Sequence, residues 1–228
     1  MRIKSLKHIP LDFKYTIMAL LQNRTEAAER LLIRLADYLT NETLIYAIPG
    51  GGIPIAFVTA KAMAKPIDIV MAKKIGHPIN PEYAIGAVSP DSEFINIREG
   101  IPDKYIDVQV ETIREQLQEK YTYFMGDHQG PEVKDKSVII FDDGIATGNS
   151  MLAAVRVIWE KDPSSVMVAT PVISPQALLK IQQVANEVIY LHAPEPFISV
   201  GTHYADFPQL TDEEVKNQLY DAYHYAEG

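Results

Sequence analysis

The stretch Val138-Ile139-Ile140-Phe141-Asp142-Asp143-Gly144-Ile145-Ala146-Thr147-Gly148-Asn149-Ser150 decides how this chain is read. Val138 to Phe141 are apolar and mostly β-branched, the composition of a buried strand. Two adjacent carboxylates follow at the carboxyl end, then Gly144, Thr147 and Gly148, and an apolar helical pattern opens at Met151. A strand-to-helix turn of this kind aims several backbone N–H groups and the positive end of a helix at one point, which suits a phosphate. The paired aspartates would repel that phosphate, so they serve another part of the same ligand, a sugar diol or a magnesium ion. Acceptors for hydroxyls beside donors for phosphate make a loop for a sugar phosphate.

Outward from this stretch, short apolar runs alternate with helical patterns. Asn23-Arg24-Thr25-Glu26 reads as a helix cap with Glu26 reaching back, and Ala28, Leu31, Leu32, Leu35 and Leu39 repeat at helical spacing. A strand over 44–48 runs into Pro49-Gly50-Gly51-Gly52, a helix over 54–64 follows, and Pro66 opens a strand over 67–72. Beyond the central stretch come a helix over 149–161, a strand over 165–171, a helix entered through Ser174-Pro175, a strand near 188–191, and a last helix capped by Thr211-Asp212-Glu213-Glu214. This alternation predicts an α/β fold with a doubly wound, mainly parallel sheet flanked by helices. Residues of about 75–135 read as an inserted, less regular lid or hood segment. It holds two short strands near 84–88 and 94–97 and an amphipathic helix carrying Ile106, Val110, Ile113, Leu117, Tyr121 and Phe124. No linker or repeat divides the chain, so 1–228 is expected to form a single domain.

The central stretch resembles the phosphoribosyl-pyrophosphate (PRPP) motif of the type I phosphoribosyltransferases: an apolar strand, two acidic residues, then a small-residue loop with Thr-Gly. The resemblance implies that Asp142 and Asp143 take the ribose hydroxyls, while Gly144, Ile145, Ala146, Thr147, Gly148 and Asn149 line the 5′-phosphate cup. Gly50, Gly51 and Gly52 also lie between a strand and a helix, and positive φ angles and close backbone approach are open to them. Their run fails as a dinucleotide fingerprint, because Ile55 stands where Gly or Ala is needed, and no Gly-Lys-Ser/Thr follows to make a P-loop. It resembles the family's pyrophosphate loop, most closely a bacterial subgroup that reads Pro-Arg-Gly-Gly-Val-Pro. Here Gly50 stands where that subgroup has Arg, which removes a guanidinium from the pyrophosphate site.

Lys73 and Lys74 follow the second strand and are placed at the carboxyl edge, where open α/β sheets bind ligands. The subgroup shows Arg-Lys-Leu-Gly there, and the match extends to Ala84-Ile85-Gly86-Ala87. The resemblance makes Lys74 the candidate catalytic cation, beside Asp142 and Asp143, with Lys73 in the place of the usual Arg. Arg24 stands in a segment similar to the subgroup's Asp-Arg-x-x-Ala; it either reaches the site from its helix start or stands exposed at the helix end. Pro194-Glu195-Pro196-Phe197 and the run from Val200 to Phe207 also match the subgroup, without a role that their chemistry specifies.

Composition narrows the function classes. Thirty acidic residues against 21 basic ones give a net charge of −9, which argues against a nucleic-acid binder. With no cysteine there can be no disulfide, thiolate nucleophile or cysteine metal site, as fits a cytoplasmic protein. The six histidines lack zinc-site spacing, and there is no G-x-S-x-G elbow. Asp12 and Lys14 interrupt any signal-peptide core near the start, and no apolar run approaches the ~20 residues of a membrane span.

The resemblance therefore implies an enzyme of pentosyl transfer, using PRPP and Mg²⁺ on a nitrogenous acceptor. The metal is held mainly through substrate oxygens rather than a protein cage. It also implies a homodimer whose partners are small molecules. The alternative is a non-catalytic sensor or regulator that keeps the fold and binds PRPP or a nucleotide. Gly50 favours it, as does Phe124-Met125-Gly126 where the subgroup carries Tyr-Arg-Gly.

Overall fold

Five parallel strands set the position of every loop that matters. The computed structural model describes residues 21–128 and 130–227; the opening stretch read above for a signal peptide lies outside them, apart from its last residue, Leu21. The strands are β1 (Thr43–Ala47), β2 (Ile67–Ile69), β6 (Ser137–Phe141), β7 (Ser165–Val172) and β8 (Glu187–His192), in the spatial order β2-β1-β6-β7-β8. Every neighbouring pair is parallel. From β1 the chain passes through α2 (Gly52–Met63) to β2 on one side. From β6 it passes through α4 (Asn149–Trp159), β7 and α5 (Pro175–Ile181) to β8 on the other.

Period-two alternation along the strands makes two cores. Ile45, Ala47, Ile139, Phe141 and Ala169 face α1 (Arg24–Leu35), α2 and α6 (Asp212–Glu227). Tyr46, Val138, Ile140, Val166 and Val168 face α4 and α5. Both faces of β6 are thus apolar and fully buried, as a central parallel strand requires. The winding reverses between β1 and β6, whose last residues, Ala47 and Phe141, pair directly. The loops that leave these two strand ends diverge to opposite faces, and the crevice between them is where open α/β sheets take ligands.

The inserted segment is more regular than the sequence suggests. β3 (Lys73–Gly76), β4 (Ala84–Val88) and β5 (Glu93–Ile95) form a separate antiparallel sheet. Lys73 pairs with Val88 and Lys74 with Ala87, so both lysines open a strand of this small sheet rather than the loop after β2. One apolar residue, Ile75, is too little alternation to announce a strand. The 23-residue α3 (Asp103–Met125) ties the two sheets together. Ile106, Val110 and Ile113 pack on Ile75, Ile85 and Val88, while Phe124 joins the core shared with α6. No helix of the described residues is long and apolar enough to cross a membrane.

The helix starts follow the capping patterns in the sequence. Asn23 Oδ1 accepts the Glu26 N–H at 3.0 Å, and Glu26 Oε2 accepts the Gln22 N–H at 3.2 Å. Glu26 thus reaches back four residues, one past the cap, whereas at α6 Thr211 and Glu214 bond each other reciprocally. The Asn23 cap fixes the helix that begins at Arg24. Asn23→Ala is therefore expected to lower unfolding free energy by about 1 kcal/mol, measured by urea denaturation followed by far-UV circular dichroism.

Candidate functional site

Asp142 and Asp143 leave β6 at the crevice, and the chain around them is built to hold two carboxylates side by side. Asp142 Oδ1 accepts the Asp143 N–H at 2.9 Å. Asp143 Oδ2 accepts from Arg24 Nε at 2.8 Å, in an ion pair whose side chains are only 10% (Arg24) and 13% (Asp143) exposed. Arg24 is itself fixed twice more: it donates to the Pro208 carbonyl at 2.8 Å and lies over the Phe207 ring, 3.8 Å from its centroid. Phe207 stacks on Tyr204, whose buried hydroxyl donates to the Asp143 carbonyl at 2.6 Å. The segment from Tyr204 to Pro208 therefore braces the acidic pair from behind. Its residues matched a family pattern in the sequence but showed no role there, because their partners lie far away along the chain.

The glycine loop meets the same carboxylates. A Cβ on Gly51 would fall 1.7 Å from Asp143 Oδ2, and one on Gly52 would fall 2.5 Å from the Phe141 carbonyl oxygen, so neither position accepts a side chain. Gly50 differs: its φ is +105°, while nothing lies within 4 Å of where a Cβ would project. An arginine there would have room but would strain the backbone.

The loop after the acidic pair is anchored at its start and open at its end. Ile145 donates its N–H to the Val172 carbonyl and accepts from the Ser174 N–H, both at 2.9 Å, and Ser174 Oγ donates to the Ala146 carbonyl. A Cβ on Gly144 would come 2.3 Å from a Val200 methyl, so this glycine lets the loop pack on the C-terminal segment. The open donors begin at Ala146. Gly148, at φ +78°, is the N-cap of α4 and brings no side-chain cap. Among the described residues the N–H groups of Ala146, Thr147, Asn149 and Ser150 meet no acceptor, and all four residues are exposed. Uncapped amides at a helix start can hold an anion of phosphate size. Ser150 belongs to this set although the sequence reading stopped at Asn149.

The cations are arranged differently from the sequence expectation. Lys73 Nζ reaches Gln116 Oε1 on α3 at 3.2 Å, and Lys74 pairs with the exposed Glu82 at 2.9 Å. A lysine that went unnoticed stands nearer the loops. A groove of about 160 Å³ runs between Ile48 and Pro49, Ala72, Leu117 and Lys120 of α3, and Ser150 of α4. Lys120 forms no ion pair among the described residues. Its place three residues after Leu117 on the stripe of α3 was the available signal. Among the described residues no three His, Asp or Glu cluster as a metal cage would.

Burial pushes the Asp142 carboxyl well above the ordinary carboxylate range, and the neighbouring Asp143 pushes it the same way. Burial also raises Asp143, against the opposing pull of Arg24. A carboxyl raised on folding binds protons more tightly in the folded state, so stability falls as pH rises from the ordinary carboxylate value toward the raised one. Asp142→Asn is therefore expected to raise the Tm at pH 8, with the gain shrinking as pH falls toward 4; thermal melts across that range check it.

Residues 16–206 match the model of the phosphoribosyl transferase domain. Two curated sequences from Mycobacterium tuberculosis strains, each named "Putative phosphoribosyl transferase", are 30% identical over 203 residues, covering 87% of this chain and 46% of the relative. This chain thus spans about half the length of the curated relatives it matches. A crystal structure of a Thermus thermophilus protein superposes with a TM-score of 0.81 at 31% identity, covering 88% of this chain and 98% of that one. The mainly parallel sheet with its flanking helices is the type I phosphoribosyltransferase fold, and the chain belongs to the phosphoribosyl transferase family.

Proposed function

We propose that the protein binds PRPP and transfers its phosphoribosyl group to a nitrogenous base or related acceptor. The observation that carries this reading is a single loop, at the crevice of the sheet, that presents a braced pair of carboxylates and then a run of open amides. Asp142 and Asp143 accept the ribose hydroxyls. The amides from Ala146 to Ser150, with the Thr147 hydroxyl, hold the 5′-phosphate. In the transfer the bond from C1 to the pyrophosphate oxygen breaks, the acceptor nitrogen bonds to C1, and the acceptor loses a proton. Positive charge builds on the ribose between these events. The acidic pair, fixed before the substrate arrives, lies under the ring where that charge develops.

The leaving pyrophosphate falls to the glycine loop and to Lys120, with Lys73 and Lys74 on the neighbouring small sheet. The donor set suits magnesium mainly through substrate oxygens and water: Arg24 engages Asp143 Oδ2, and Asp142 is the carboxylate of the pair that it leaves unpaired. Magnesium, when bound, supplies neutralisation of the pyrophosphate charge. A homodimer in the cytoplasm is the setting that the family resemblance implies. The second reading, a PRPP or nucleotide sensor, is favoured by one observation: the open space beside Gly50 holds no cation where the subgroup carries arginine.

Two measurements test the assignment. The double variant Asp142→Asn, Asp143→Asn is expected to keep the native circular dichroism spectrum and lose calorimetric binding of ribose 5-phosphate; unchanged affinity in the folded variant would remove the acidic pair from the site. Lys120→Ala is expected to weaken Mg²⁺–PRPP binding about tenfold, the loss of one charge-assisted contact, with ribose 5-phosphate affinity unchanged. Equal effects on both ligands would place Lys120 at the phosphate cup instead.

A further inference from the structure

A second buried carboxylate stands outside this machinery. Asp68, at the middle of β2, is 5% exposed and forms no ion pair among the described residues. Its Oδ1 takes two donors, the Ile69 N–H at 2.7 Å and the Tyr121 hydroxyl at 3.0 Å. Among the described residues its Oδ2 takes no donor at hydrogen-bond distance, although Tyr46 stands against the same carboxylate, and Gly130 passes so close that a Cβ there would lie 2.5 Å away. Asp68 lines a cavity of about 310 Å³ between β2, α3 and the end of α4, a volume in the range of small-molecule pockets.

The walls of the cavity define what could fill it. Val70, Met71, Val157 and Ile158 make apolar sides, Tyr46 and Tyr121 flank the carboxylate, and Gln118 stands at the rim. Lys161, the lining cation, is held by Asp91 at 2.6 Å and does not neutralise Asp68. Burial raises the Asp68 carboxyl, while the bonds from Ile69 and Tyr121 and the charges of His128 and Lys161 act the other way; a further N–H donor or a positive charge brought to it would offset more of the cost of burial. Water could donate there too but not fill the apolar walls favourably.

We propose that this cavity is a second small-molecule site, for a flat ligand whose head presents an N–H donor to Asp68 Oδ2, of the amidine or amino-heterocycle class. An acid-headed ligand of the same shape is excluded by the carboxylate. The site stands apart from the sugar-phosphate loop and does not rely on its assignment; the two regions share only Val70 and Met71, which also line the groove leading to Pro49 and Ser150.

Benzamidine and benzoate are the probes, because they share a shape and differ in the polarity of the head. In calorimetric titration, benzamidine is expected to bind and benzoate not to. Asp68→Asn, which can keep the bonds to Ile69 and Tyr121, is expected to weaken benzamidine about tenfold, the loss of one charge-assisted pairing. Gln118→Trp, a substitution at an exposed position that covers the mouth without touching the core, is expected to abolish binding. The double variant Asp142→Asn, Asp143→Asn is expected to bind benzamidine as the parent does. Absence of benzamidine binding, equal binding of benzoate, or indifference to both Asp68→Asn and Gln118→Trp would overturn the proposal. Loss of binding in the Asp142, Asp143 variant would assign the probe to the sugar-phosphate loop and overturn it as well, while leaving the reading of that loop intact.

Discussion

Two adjacent carboxylates at the end of a buried strand repel each other and resist burial, and much of the surrounding structure exists to hold them there. Arg24 supplies the counter-charge from the first residue of α1, and Phe207 and the Pro208 carbonyl keep that guanidinium in place. Tyr204 ties down the backbone of Asp143, and Gly51 allows the facing loop to come into contact with its carboxylate. Burial, together with the charge of Asp143 beside it, leaves Asp142 with a raised pKa that the single arginine does not offset. Carboxyls perturbed in this way cluster at functional sites.

The sheet amplifies this arrangement. Because the winding reverses between β1 and β6, the glycine loop and the acidic loop leave adjacent strand ends, and Gly51 lets them meet at the Asp143 carboxylate. Ile145 and Ser174 then fasten the acidic loop to β7 and the start of α5. Amides held in this way lose little freedom when an anion arrives, so less of the binding energy is spent on ordering them.

Legibility in the sequence tracked distance along the chain. The parallel sheet, the helix caps at Asn23, Ser174 and Thr211, and the strand-to-helix turn after Asp143 all rest on patterns within a few residues, and each could be read directly. The bracing of Asp143 could not: Arg24 lies 119 positions away and Tyr204 lies 61 away, and nothing local marks either as its partner. The small sheet was half legible, since β3 carries one buried apolar residue and gains its regularity only from pairing with β4. Lys120 was hidden in a helix whose apolar stripe drew the eye to packing. Asp68 was hidden because a lone acid in an apolar strand has no motif around it.

The bracing segment comes late in the chain, and this orders events during synthesis. Chains emerge from the ribosome N-terminus first, and domains fold largely as they appear. All five strands of the main sheet are complete at His192, before Tyr204, Phe207 and Pro208 have been made. A nascent chain can therefore assemble its sheet with Asp142 and Asp143 already at the crevice, while Arg24 still lacks its ring and carbonyl supports. The bracing of Asp143 is then completed in a later, separate step, when the segment from Tyr204 to Pro208 folds back over the start of α1.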